Sequence, residues 1–196
     1  MKKLSFLTLL FCLTAINAHA ADWLHPYVGV DYAFSKAGYG NFADKILEDK
    51  TDSYILSAGV KVLPGLAIEG FYQESAKEDH VALNAILTGD HLNSELSIKA
   101  YGVDVVKDVI NLGLVEVLSS IGLARYDVKV AQDYAYNNGG GHSVKTYHGQ
   151  GIRFGLGGQI NLGDSWSIRG MGRYSLTDVE KINDFKEVTI GLRYNF

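Results

Sequence analysis

Three groups of residues in this chain have types that could do chemistry. In the first, His142 stands beside Ser143, and His148 lies within reach of Asp133 along the chain. A base beside a hydroxyl, or beside a carboxylate that orients it, is the core of a nucleophilic site. All four residues sit in a polar stretch around Asn137-Asn138-Gly139-Gly140-Gly141. So much glycine reads as a flexible loop, and a catalytic pair has to be held rigidly, so solvated loop residues are expected. In the second group, His80, His91, His142 and His148 offer imidazoles across two loops, but their spacing matches no compact metal signature. Gly155-Leu156-Gly157-Gly158 is not a phosphate loop, since no helix pattern follows it. No catalytic, metal-binding or cofactor-binding residue is therefore expected.

The third group is larger: Asp31, Lys61, Glu69, Asp104, Arg153, Arg169, Arg173, Glu187 and Arg193. These charges fall on the polar face of alternating segments. They could line a solute path, or pair with one another inside a narrow structure. Buried charges are tolerated only when paired, and the elements that carry them decide between the two roles.

Those elements read as strands. From Val188 the even positions are Val188, Ile190, Leu192, Tyr194 and Phe196, and the odd ones are Glu187, Thr189, Gly191, Arg193 and Asn195. One face is apolar and the other polar or tiny, whereas a helical period of 3.6 would mix the sets. The same alternation runs through 27–35, 54–62, 66–73, 152–162 and 166–176. It is less clean in the segments around 101–109 and 115–123. Lys107 interrupts one apolar face, and Lys99, Arg125, Asp127 and Lys129 lie beyond on the same faces. These two strands either run past an apolar layer into water or contain a bulge that switches the phase. Connections alternate between short (63–65, roughly 110–114, 163–165) and long (roughly 36–52, 77–95, 132–148, 178–184).

Eight such segments close into an all-β, eight-stranded antiparallel up-and-down barrel. A water-soluble barrel would have to hold Tyr32, Tyr54, Tyr72, Tyr174, Tyr194, Trp166, Phe34, Phe154 and Phe196 in its small interior. The reverse fits better: small residues and a few charges inside, the bulky apolar set facing lipid. Trp166, Tyr194 and Phe196 fall at one rim, and Tyr32, Phe34, Tyr54, Tyr72 and Tyr174 towards the other, as interface girdles do. Closure is required, because an open edge in hydrocarbon leaves backbone groups unpaired. Eight strands leave a lumen just wide enough for side chains, which favours paired charges over a path.

The N-terminus agrees with export. Lys2-Lys3, an apolar run from Leu4 to Ile16, and Ala18-His19-Ala20 before Ala21 form the three parts of a secretory signal peptide. Residues 1–20 are expected to be removed, with cleavage between Ala20 and Ala21, leaving 21–196 as the barrel domain. Cys12, the single cysteine, falls within the signal, so the mature chain has no disulfide. Without Lys2 and Lys3 the mature part has 16 Lys and Arg against 22 Asp and Glu, a net charge of −6, which gives no reason to propose nucleic acid as a partner.

Tyr27-Val28-Gly29-Val30-Asp31-Tyr32, Ile121-Gly122-Leu123-Ala124 and Gly191-Leu192-Arg193-Tyr194-Asn195-Phe196 resemble the OmpA/OmpX-type family of eight-stranded outer-membrane barrels. The resemblance covers essentially the whole mature chain and is to the barrel-only members, since the chain ends at Phe196. It implies a location in the bacterial outer membrane, contact with membrane lipid and lipopolysaccharide, and recognition of the terminal Phe196 by the barrel-assembly machinery. The expected function is a non-enzymatic, envelope-structural or surface-interaction role through the long loops. The alternatives are a lipid-modifying enzyme built on a barrel, or a small-solute channel.

Overall fold

A computed structural model describes residues 24–39, 50–75, 78–81, 91–136, 139–179 and 182–196. Ala20, Ala21, Cys12 and the expected signal peptide lie outside them. The described residues contain eight strands and no helix: β1 (His25–Tyr39), β2 (Lys50–Leu63), β3 (Leu66–Ser75), β4 (His91–Asn111), β5 (Val115–Tyr136), β6 (Gly139–Leu162), β7 (Trp166–Thr177) and β8 (Ile182–Asn195). A short piece, Glu78–Val81, follows β3 along the same edge of β4. Every strand is antiparallel to its sequence neighbour, and β1 pairs with β8 from Tyr27↔Asn195 to Tyr39↔Ile182. That seam closes the barrel and satisfies both edges.

The tight turns after β2, β4 and β6 use Gly65, Gly113 and Gly163 at φ of 69°, 82° and 80°. Only glycine adopts this region without strain. The three turns and both ends of the described chain share one rim, here the turn end, and the longer connections leave from the other, the loop end.

Alternation sorts the side chains as expected. Val30, Phe34, Leu56, Ile68, Val103, Ile121, Leu123, Leu156, Ile190 and Leu192 are exposed, while Asp31, Glu69, Asp104, Arg153, Arg173 and Arg193 are buried. The outward apolar belt runs round the ring, far more than the few hundred Å² that soluble proteins leave in one patch. In β4 and β5 the phase does not switch. Their ladder runs from His91↔Ala135 to Asp108↔Leu118 and shifts register only between Asp108 and Ile110, beside the turn. Lys99, Arg125 and Lys129 therefore stay on the outward face and are exposed, on strands that continue past the aromatic girdle.

Two expectations need correction. The stretch 132–148 is not a loop: β5 and β6 pair without a break up to Tyr136↔Gly139, so its glycines belong to a strand. The interior is also bulkier than small residues and charges alone. Tyr27, Ala67, Val106, Leu118 and Met171 fill the turn end. Ile55, Phe71, Ile98, Tyr126, Val128, Val179, Ile182 and Phe185 fill the loop end.

Candidate functional site

Between those two apolar plugs lies a belt of charge. Period-two spacing turns Asp31, Glu69, Asp104, Arg153, Arg169, Arg173, Glu187 and Arg193 inward from β1, β3, β4, β6, β7 and β8, and closure brings them together. Arg193 donates to both oxygens of Asp31, at 2.9 and 2.8 Å. Arg169 donates to Glu69 Oε2 at 2.7 Å, and the Nε of Arg193 approaches the same oxygen at 3.7 Å. Glu69 thus sits between two guanidinium groups.

On the loop side, Arg153 lies 3.7 Å from Asp104 and 3.7 Å from Glu187, with its guanidinium 3.8 Å from the centre of the Phe71 ring. Arg173 lies 3.6 Å from Glu187 and donates to Thr189 Oγ1 at 3.0 Å. Gln73 binds the second oxygen of Glu187 at 2.6 Å. Asp104 Oδ1, Glu187 Oε1 and both terminal nitrogens of Arg153 make no direct hydrogen bond among the described residues. A cavity of about 20 Å³, lined by Ser35, Ser53, Gln73, Arg153 and Glu187 among others, adjoins Arg153 and Glu187, enough room for one bridging water. At the turn end, a second cavity of about 10 Å³ touches Lys61, Asp108, Glu116 and Arg169. Neither approaches the dimensions of a channel.

Lys61 does not join the belt. It is half-buried near the turn rim, beside that second cavity. Sequence reasoning also missed several partners. Gln159 accepts from Arg169 at 3.0 Å and donates to the buried Glu116 at 3.2 Å. Gly191 and Gly122 stand directly across from Asp31 and Asp104, and a Cβ at either would strike the aspartate opposite. Glycine among buried acids was the available signal for this packing.

The acid–base candidates separate. His148 does not meet Asp133. The register sets it opposite Asp127, and its Nδ1 lies 2.6 Å from Asp127 Oδ1, while Asp133 stands opposite His142. His148 and Asp127 extend an outward row, Glu74↔Lys99↔Asp127↔His148, across four strands. Within it Lys99 and Glu74 are 2.8 Å apart, and that hydrogen bond raises the lysine above its usual pKa. Arg125 approaches Asp127 at 3.9 Å. The pair is thus part of a solvated ion row, not a nucleophile with its base. The side chains of His80, His91 and His142 lie outside the described ones, and the described residues hold no cluster of three metal-ligating groups.

The family model for the outer membrane protein beta-barrel domain matches residues 5–196. No curated protein matches the chain. Similar solved structures include Ail, the attachment invasion locus protein of Yersinia pestis, in complex with the heparin analogue sucrose octasulfate. It is 12% identical, with a TM-score of 0.60 over 88% of this chain and 99% of that one. Neisserial surface protein A is 18% identical, with a TM-score of 0.60 over 87% and 97%. A major outer membrane protein from Thermus thermophilus is 10% identical, with a TM-score of 0.55 over 87% and 99%. At these identities the likeness is one of fold.

Proposed function

The chain belongs to the outer membrane protein β-barrel domain family, and from that premise we propose a non-enzymatic barrel that holds a sheet above the bacterial outer membrane for contact with external ligands. One observation carries this. β6 pairs with β5 from Gly139 to Ile160, but β7 begins to pair with it only at Gly151. The first dozen or so residues of β6 thus form the margin of a sheet that rises past the barrel at the loop end. An edge strand is a template for another chain.

The charge belt is the structural counterpart. Paired guanidinium and carboxylate groups, with an apolar plug on each side, close the lumen and tie the strands together, so a channel role is disfavoured. The outward apolar belt meets outer-membrane lipid and lipopolysaccharide. The terminal Phe196, which packs on Tyr194 with ring centres 5.1 Å apart, is available to the assembly machinery that inserts the barrel.

Replacing 132–146 by a tight turn tests the proposal. Adhesion of cells carrying this variant is expected to drop while gel mobility still reports a folded barrel. Equal adhesion with both proteins, or none with the intact one, rejects it.

A further inference from the structure

The backbone directions along the upper part of β6 follow from one contact. The carbonyl of Gln150 accepts from the N–H of Asp178 at 2.9 Å, and the Gln150 N–H donates to the Asp178 carboxylate. Both groups therefore face the β7 side. The β5–β6 ladder has no register shift, and in such a ladder alternate residues turn their N–H and C=O the same way. Val144, Thr146 and His148 thus aim theirs away from β5, to the side where β7 has not yet begun. Gln150 is capped by Asp178, and a Cβ at Gly149 would run into Val179, so the β7–β8 connection closes the margin from below. Above it, Val144, Lys145, Thr146 and His148 are exposed.

This stretch carries one sign of charge. Residues 139–150 contain His142, Lys145 and His148 and no acid. Asp127, on the outward face, is engaged by His148 at 2.6 Å and by Arg125 at 3.9 Å. Lys145 belongs to the other face, the one it shares with Tyr147, which packs on the loop-end plug. Directly across from it on β5 is Val130, and the diagonal positions on that face are Val128 and Gln132. None of the three is acidic.

We propose that the margin of β6 from Val144 to His148 takes up an extended acidic peptide as an added strand, with a carboxylate of the peptide set beside Lys145. Antiparallel addition pairs the backbone groups of Val144, Thr146 and His148, which β7 leaves open. It also sets one peptide side chain directly opposite Lys145, where an opposite charge is favourable. On the other face, the β-branched Val144 and Thr146 suit β-branched neighbours in the added strand. A second copy in the same membrane fits less well. It carries this margin in the same direction, and parallel pairing is the less stable ladder. The inference rests on the reading of this sheet as a surface for external ligands.

The probe is a fluorescein-labelled peptide, Ser-Thr-Val-Glu-Val-Thr-Ser, which reads the same in either direction. Fluorescence anisotropy follows its binding to the barrel in phospholipid nanodiscs. The unmodified protein is expected to bind it. Lys145→Glu is expected to weaken binding about fivefold, and a peptide with lysine in place of its glutamate to restore it on that variant. Thr146→Pro removes an N–H at the free edge, where proline is tolerated, and is expected to abolish binding. The peptide N-methylated at both valines is expected not to bind the unmodified protein, which keeps the test intact if the proline variant misfolds. Binding that survives both the proline and the N-methyl groups overturns strand addition. Binding indifferent to the Lys145 change overturns the acidic partner. Vesicles that cluster through this protein alone, without peptide, assign the margin to a second copy and overturn the peptide. Absence of peptide binding, in a protein whose adhesion still falls when 132–146 is replaced, overturns this partner and leaves the surface-contact reading in place.

Discussion

Arg193 and Asp31 join the last strand to the first through a two-pronged ion pair, at 2.9 and 2.8 Å, with both residues almost fully buried. The fork lies on the seam that closes the barrel, where no chain connection holds the strands. Asp31→Ala strands a buried guanidinium and is expected to cost about 3–5 kcal/mol. Urea unfolding from lipid vesicles measures it, and a loss below about 1 kcal/mol would show that the pair does not secure the seam.

Gly191→Ala tests the same seam from the backbone side. A Cβ there runs into the Asp31 carboxylate and the Val30 carbonyl, so the fork must shift. The change is expected to lower the unfolding midpoint clearly, whereas Gly170→Ala, at an outward position on the neighbouring strand with its nearest neighbour at 3.7 Å, is expected to be nearly silent. Equal midpoints for the two would show that the fork is not packed against this glycine.

The lipid face is tested by Leu192→Arg against Thr189→Ser. Leu192 is 45% exposed on the outward face, whereas Thr189 is 2% exposed and receives a hydrogen bond from Arg173. Arginine at the former is expected to cost about 2–4 kcal/mol near the bilayer centre. Serine keeps the hydroxyl and should change little. Comparable losses would invert the assignment of the two faces.

Conductance tests the closed lumen. With interior cavities of only about 20 and 10 Å³, the purified protein is expected to show no steady current in planar bilayers. Arg153→Ala with Arg173→Ala leaves Asp104 and Glu187 without their cations, so the barrel is expected to lose stability before a clean pore opens. A stable, large channel from the unmodified protein would reject the plug.

Processing is checked by mass spectrometry of the protein from outer membranes. The expected N-terminus is Ala21. An intact Met1 would remove the signal peptide from the account.

The sequence by itself determined the strand faces, because side-chain alternation is a local property of extended backbone. Val188 to Phe196 already showed which residues meet lipid, and the same rule placed Arg153, Arg169, Arg173 and Arg193 inward. Which carboxylate each arginine meets depends on register around a closed ring. Glu69 lies 100 residues from Arg169 in the chain and Asp31 lies 162 from Arg193. The ladder also decided the fate of 132–148. Its glycines and polar residues have the composition of a loop, but hydrogen bonds to a neighbouring strand override propensity, and pairing up to Tyr136↔Gly139 made it a hairpin. The same register moved His148 from Asp133 to Asp127. It also left Lys61 at the rim, because inward direction is set by alternation whereas depth along the barrel is set by the stagger between strands.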